Sequence, residues 1–125
     1  YSKILNLLAR RYYGIVDFYG IFPGKYNTMD EMKSYRDDYR IAFQLFADPE
    51  KNLVHSLGAT VAPQAFLLDE SGKTLYSGRI DDWMYAPGKS GVRTTKNDLL
   101  VAIEAAVAGR KIETASTTPI GCIIE

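Results

Sequence analysis

The chain has 125 residues, 46% of them hydrophobic and 24% charged, which suits one folded core and argues against disorder. Its 15 basic and 15 acidic residues cancel, so no cationic field gathers phosphates and nucleic-acid binding is not expected. No apolar run reaches the roughly 18 residues of a membrane helix, no phosphate-loop, nucleophile-elbow or metal-helix motif appears, and the one cysteine, Cys122, cannot close an internal disulfide.

From Tyr1 to about Tyr13, apolar residues recur at Ile4, Leu5, Leu8 and Tyr12, a spacing of three to four that draws one helix face, and Leu7 widens the stripe. Arg10 and Arg11 sit in the last turn, where cations suit the dipole, and Gly14 supplies a stop. The chain starts at Tyr1 rather than at a methionine. A helix beginning at the first residue reads as the continuation of a longer one whose first turn is absent. Ile15, Val16, Phe18, Tyr19 and Ile21 then predict a buried strand of the parallel type, and Phe22 to Asn27 a loop. Thr28 and Glu31 match a capping box that opens a helix with Met29, Met32, Tyr35 and Tyr39 on one face. Ala42 to Ala47, with Phe43, Leu45 and Phe46, predicts the next strand.

Asp48-Pro49 reads as a helix start, an N-cap carboxylate followed by proline at the first helical position. Leu53, Val54 and Leu57 are expected to face the core, with Gly58 as the left-handed stop. Ala65 to Leu68 and Lys73 to Gly78, joined by Asp69-Glu70-Ser71-Gly72, form a hairpin pattern. Met84 to Lys96, holding Pro87, Gly88 and Gly91, is expected to be an irregular loop. A last helix runs from about Lys96 to Ala108, with Leu99, Ile103, Ala106 and Val107 inward and Gly109 as its stop, and the tail from Arg110 to Glu125 has no clear period. Helix, strand, helix, strand, helix, hairpin and helix in that order predict an α/β fold, a mixed central sheet flanked by helices.

That order resembles the thioredoxin-like superfamily, and the residues are similar to a bacterial redoxin (AhpC/TSA-like, peroxiredoxin-related) domain. The resemblance is carried by Asp48-Pro49, Gly58, the run Ala62-Pro63-Gln64-Ala65-Phe66-Leu67-Leu68-Asp69, Ser71-Gly72-Lys73 and Tyr76-Ser77-Gly78-Arg79-Ile80-Asp81-Asp82. Two further pieces, Gly91-Val92-Arg93-Thr94-Thr95 leading into Asp98-Leu99 and the tail Thr118-Pro119-Ile120-Gly121-Cys122, resemble one branch of bacterial thioredoxin-like proteins. It implies a redoxin domain over residues 1–109 and a C-terminal tail, 110–125, packed on the same domain. The family carries a Cys-x-x-Cys, or one peroxidatic cysteine, at the start of its first helix, where free amides and the helix dipole stabilise a thiolate. This chain has no cysteine there. The expectation is an N-terminally incomplete domain whose first strand and catalytic cysteines lie just upstream of Tyr1, so that the 125-residue chain alone is inactive.

The implied activity is thiol–disulfide exchange on a protein or peptide disulfide, with a thiol electron donor and no bound cofactor. The alternatives are a non-catalytic peptide- or protein-binding module and a peroxiredoxin-like thiol peroxidase. Similar proteins are often exported, which implies a periplasmic or cell-envelope setting. The residues alone leave Pro63 cis or trans, since X-Pro bonds adopt cis cheaply. The resemblance implies cis, and it implies that the backbone of Ala62 pairs with substrate peptide.

Cys122, between Ile120 and Ile123, is either an accessory thiol or a small hydrophobe packing the tail, and no cationic neighbour in sequence activates it. Asp81 and Asp82 offer paired acids for proton transfer and Trp83 a candidate groove wall, against a plain hairpin exit with solvated acids. His55, the one histidine, lacks the companions of a metal site.

Overall fold

The computed structural model describes residues 1–24, 29–86, 89–90, 94 and 96–124. The expected cap at Thr28 and most of the Gly91–Thr95 run lie outside them, as do Pro87 and Gly88. The fold is mixed α/β. The chain divides into two compact units, residues 1–58 and residues 59–124.

In the first unit, helix α1 (Ser2–Arg11) begins at once; the Leu5 amide donates to the Tyr1 carbonyl at 3.0 Å. Leu8, Ala9 and Tyr12 are buried, as the spacing requires. The strand expected from Ile15 starts later, as β1 (Tyr19–Pro23). The reason is local: the amides of Ile15 and Val16 both donate to the Tyr12 carbonyl at 2.9 Å, so these residues complete the helix exit. The strand also runs through Phe22 and Pro23, which were expected in a loop. Proline is tolerated there because it occupies the strand's last position, where a missing N–H disturbs the ladder least.

Helix α2 (Met29–Asp38) connects β1 to β2 (Gln44–Asp48), and the two strands pair in parallel from Tyr19↔Gln44 to Pro23↔Asp48. Of its expected inward face only Met32 is buried; Met29, Tyr35 and Tyr39 are exposed. The tyrosines instead pack as rings, Tyr35 edge-on to Phe22 at 5.3 Å and beside Tyr39 at 4.7 Å. Ala42 and Phe43 precede the strand rather than open it. The buried Asn6 of α1 explains this: its Oδ1 accepts from the Ala42 amide at 2.9 Å, while its Nδ2 donates to the carbonyls of Tyr39 and Arg40 at 3.3 and 3.1 Å. One amide side chain thus satisfies three backbone groups of the link. Asn6→Ala is expected to cost about 1–3 kcal/mol, because those groups lose a buried partner. Urea denaturation checks it; a loss below about 0.5 kcal/mol would show that solvent replaces the side chain.

Asp48 does not cap a helix beginning at Pro49. Pro49 and Glu50 form a turn, and α3 (Asn52–Leu57) starts after Lys51, which has φ 61° and no side-chain cap. The Asp48 carboxylate still supplies the first turn's acceptor, from further back: the Val54 amide donates to its Oδ2 at 2.9 Å. Val54 is buried, whereas Leu53 is exposed, against expectation. Gly58 stops the helix at φ 79°.

In the second unit, β3 (Val61–Ala62) leads into the hairpin of β4 (Ala65–Leu68) and β5 (Thr74–Gly78). Asp69 Oδ1 organises the turn by accepting from the Ser71 and Lys73 amides and the Ser71 hydroxyl at 2.7–2.9 Å. The Ser71 hydroxyl bond, foremost, holds the Asp69 carboxyl below its ordinary pKa. The stretch expected to be irregular contains a short antiparallel pair, β6 (Met84–Ala86) and β7 (Lys89–Ser90). Helix α4 (Asp98–Val107) packs on β4 and β5 with Leu99, Ala102, Ile103 and Ala105 buried. Val107, expected inward, is exposed at the helix's last position. The tail ends in β8 (Cys122–Ile123). Among the described residues the strands pair in four two-stranded ladders, β1–β2, β3–β8, β4–β5 and β6–β7, rather than in one continuous sheet.

Candidate functional site

The candidate site is the Ala62–Pro63 turn, between α3 and the hairpin in the chain. The peptide bond between these residues is cis, and both are exposed. The turn is braced from within: Gln64 folds back so that its Oε1 accepts from the Thr60 amide at 3.0 Å and from Val61 at 3.5 Å. It is braced from outside by the tail. Strand β8 lies antiparallel to β3, with Val61 opposite Ile123 and Ala62 opposite Cys122, and the Ile124 amide donates to the Thr60 carbonyl at 3.0 Å.

Gly121 makes that approach possible. A Cβ at this position would overlap the Ala62 carbonyl oxygen and lie 2.6 Å from its carbon and 3.0 Å from the Pro63 nitrogen. Only hydrogen fits between the two backbones. The thiol of Cys122, opposite Ala62, is exposed. That overturns its reading as a buried packing residue. Its neighbour Gly121, not Cys122, is the residue buried against the turn.

The tail is anchored upstream by a closed ring of hydrogen bonds. The Arg79 amide donates to Thr117 Oγ1 at 2.9 Å, and Tyr76 Oη donates to the Arg79 carbonyl at 2.6 Å. The remaining hydroxyl pair, Thr117 and Tyr76, is 2.7 Å apart, so Thr117 donates to Tyr76 and completes the circuit. Tyr76 is fully buried, and burial above all raises its phenol pKa, with the Thr117 bond acting against it. Ser77 adds two backbone bonds, donating to the Ala115 carbonyl and accepting from the Thr117 amide. Beside the ring, Arg79 Nε donates to Asp98 Oδ2 at 2.6 Å, which raises the guanidinium pKa further and ties the hairpin exit to the start of α4.

Asp81 and Asp82 each accept a backbone amide. Asp81 is buried, not solvated, and its Oδ1 accepts from the Trp83 amide at 2.9 Å. Asp82 and Lys96 clamp the two ends of the intervening segment: Asp82 Oδ1 accepts from the Lys96 amide at 2.8 Å, and the Asp82 amide donates to the Lys96 carbonyl at 3.0 Å. Trp83 is 41% exposed, so it forms part of the surface after the hairpin. His55 is exposed on α3. Among the described residues no three His, Cys, Asp or Glu side chains stand together as a metal site, and no helix is long and apolar enough to cross a membrane. An open hollow of about 660 Å³ lies between α2 and β2, lined by Met32, Phe43 and Leu45, and its lining includes none of the candidate site residues Ala62, Pro63, Asp81, Asp82, Trp83 and Cys122.

The resemblance pointed to Ala62 and Pro63 and not to the residues that brace the turn and its tail: Gln64, Thr117 and Gly121. Gly121 carried a signal, a glycine wedged among branched residues in a tail without helical or strand period.

No family model matches the chain, and no curated protein matches it. Among solved structures the chain is similar to an uncharacterized conserved protein from Geobacillus kaustophilus, with a TM-score of 0.87 and 22% identity over 99% of this chain and 67% of that one. It is also similar to a hypothetical protein from Sinorhizobium meliloti 1021, with a TM-score of 0.85 and 25% identity over 98% of this chain and 69% of that one. The chain thus shares its α/β fold with two longer proteins, each of which it spans for about two thirds of the length.

Proposed function

We propose that residues 1–125 form part of a thioredoxin-like thiol–disulfide oxidoreductase of the bacterial redoxin type, with the nucleophilic cysteines contributed from just upstream of Tyr1. The reading rests on one arrangement: an exposed Ala62–Pro63 turn, braced by Gln64, standing directly before an antiparallel hairpin that α4 covers. In this reading an enzyme thiolate attacks one sulfur of a substrate disulfide and the other sulfur leaves as a thiolate. A second enzyme thiolate then breaks the mixed disulfide, so the substrate is reduced and the enzyme pair oxidised. A thiol donor restores the pair. Ala62 and Pro63 shape the place where the substrate chain lies, and a cell-envelope setting goes with such chemistry.

A second reading, a peptide-binding module without thiol chemistry, draws on the β3 edge already pairing with an extended segment, the tail. Insulin-disulfide reduction separates the two. The 125-residue chain, with Cys122 as its sole cysteine, is expected to show no turnover, and the intact protein is expected to reduce insulin with a dithiol donor. Robust activity from the 125-residue chain would overturn the placement of the nucleophile. An intact protein without a cysteine upstream of Tyr1 would leave the binding module, and a Thr-x-x-Cys there would point to a peroxidase.

A further inference from the structure

We propose that residues 120–124 are a built-in strand that covers a peptide-binding edge, and that an extended peptide occupies β3 by displacing it. The idea rests on the reading of Ala62 as a peptide-pairing residue and adds what regulates access to it.

The two ends of the tail are held very differently. At Thr117 it is locked into the ring with Tyr76 and Arg79, inside the second unit. A few residues on, β8 is held by backbone pairing over two residues of β3 and by the Ile124–Thr60 bond. Its side chains add little, since Cys122 is exposed and Ile123 is 78% exposed. Each backbone hydrogen bond is worth about 0.5–1.5 kcal/mol net of water, so a two-residue strand flanked by the half-buried Ile120 and Ile124 is held far less firmly than the Thr117 anchor. The anchor at Thr117 keeps the detached strand close, at an effective concentration in the millimolar range for a short linker. A firm tether carrying a weak strand is a competitive cover, and only a peptide that pairs better or is more abundant enters.

The same contacts define what fits. The entering chain must be extended and antiparallel to β3, because main-chain groups do the pairing. It needs glycine at the position of Gly121, where any Cβ meets the Ala62 carbonyl. The residues that follow are free to vary, because their counterparts Cys122 and Ile123 point to solvent.

Two full-length variants open the edge while leaving the Thr117 anchor in place. Gly121→Ala forces a Cβ against Ala62, and Ile124→Pro removes the N–H that bonds Thr60. The probe is a fluorescein-labelled peptide with the chain's own residues 118–125 and serine in place of Cys122, so that no disulfide forms. In both variants the amides of residues 122 and 123 are expected to exchange at least about tenfold faster, with the Leu99 amide unchanged. The probe is expected to bind both variants about tenfold or more tighter than the native chain, by fluorescence anisotropy. Equal binding to native and opened chains would overturn the cover while leaving Ala62 as a peptide-pairing residue. Failure of either opened variant to bind the probe would overturn both.

Discussion

Gly78→Ala is expected to destabilise the second unit by about 2–6 kcal/mol, the sum of backbone strain and overpacking. Gly78 has φ 146°, a conformation that an L side chain adopts only under strain. A Cβ there would also overlap Thr117 Oγ1 and lie 2.5 Å from the Thr117 carbonyl oxygen and 2.8 Å from its nitrogen. Neither side can yield cheaply. Gly78 ends the hairpin strand opposite Ala65, and Thr117 is fixed by the ring and by the backbone bond to Ser77. The added carbon therefore pushes the tail off β5 and strips the Arg79 amide of its acceptor. A urea midpoint lowered at unchanged slope is the expected reading. A midpoint equal to that of the native chain would mean that Thr117 is not seated against Gly78.

Tyr76→Ala is the second large effect, about 3–5 kcal/mol, since it empties the site of the largest fully buried side chain among the described residues. Tyr76→Phe separates packing from the ring. It keeps the aromatic volume, removes the donor to the Arg79 carbonyl and the acceptor for Thr117, and is expected to cost about 1–3 kcal/mol. Thr117→Val breaks the same circuit from the other side, so the double variant should lose less than the sum of the two single changes. Additive losses would mean that the bonds act independently.

The phenol also sets a pH dependence. Burial, the largest cause, raises the Tyr76 pKa, which means that the fold prefers the neutral form. Its contribution is complete below the unfolded value of about 10 and disappears as pH rises through the higher folded value. Alkaline unfolding of the native chain should therefore steepen above about pH 10, and Tyr76→Phe should flatten that limb. An identical alkaline limb in both proteins would show that Tyr76 does not titrate with unfolding.

These residues bear on the site as well as on stability. The ring anchors the tail from which β8 reaches Ala62, so weakening it should also loosen the brace on the Ala62–Pro63 turn.

What the sequence determined by itself is the part written in short-range pattern. The α1 face of Leu8 and Tyr12, the Asp69 turn, the Gly58 stop and the α/β order follow from spacing and turn chemistry within a few residues. The Ala62-Pro63 pair was singled out by the resemblance, while its residues alone left the bond cis or trans. Strand limits were less so, because a strand ends where its partner stops pairing: Ile15 and Val16 have strand character but their amides turn back to Tyr12. Tertiary structure alone decided the roles of the polar residues. Asn6 serves a link more than thirty residues away, Asp82 holds the amide of Lys96, and Thr117 completes a ring begun by Tyr76. Hydrogen bonds across such separations leave no periodicity to read. The seating of Gly121 on Ala62 belongs with them: it depends on two backbones meeting from distant parts of the chain, at a distance that a single methyl group would forbid.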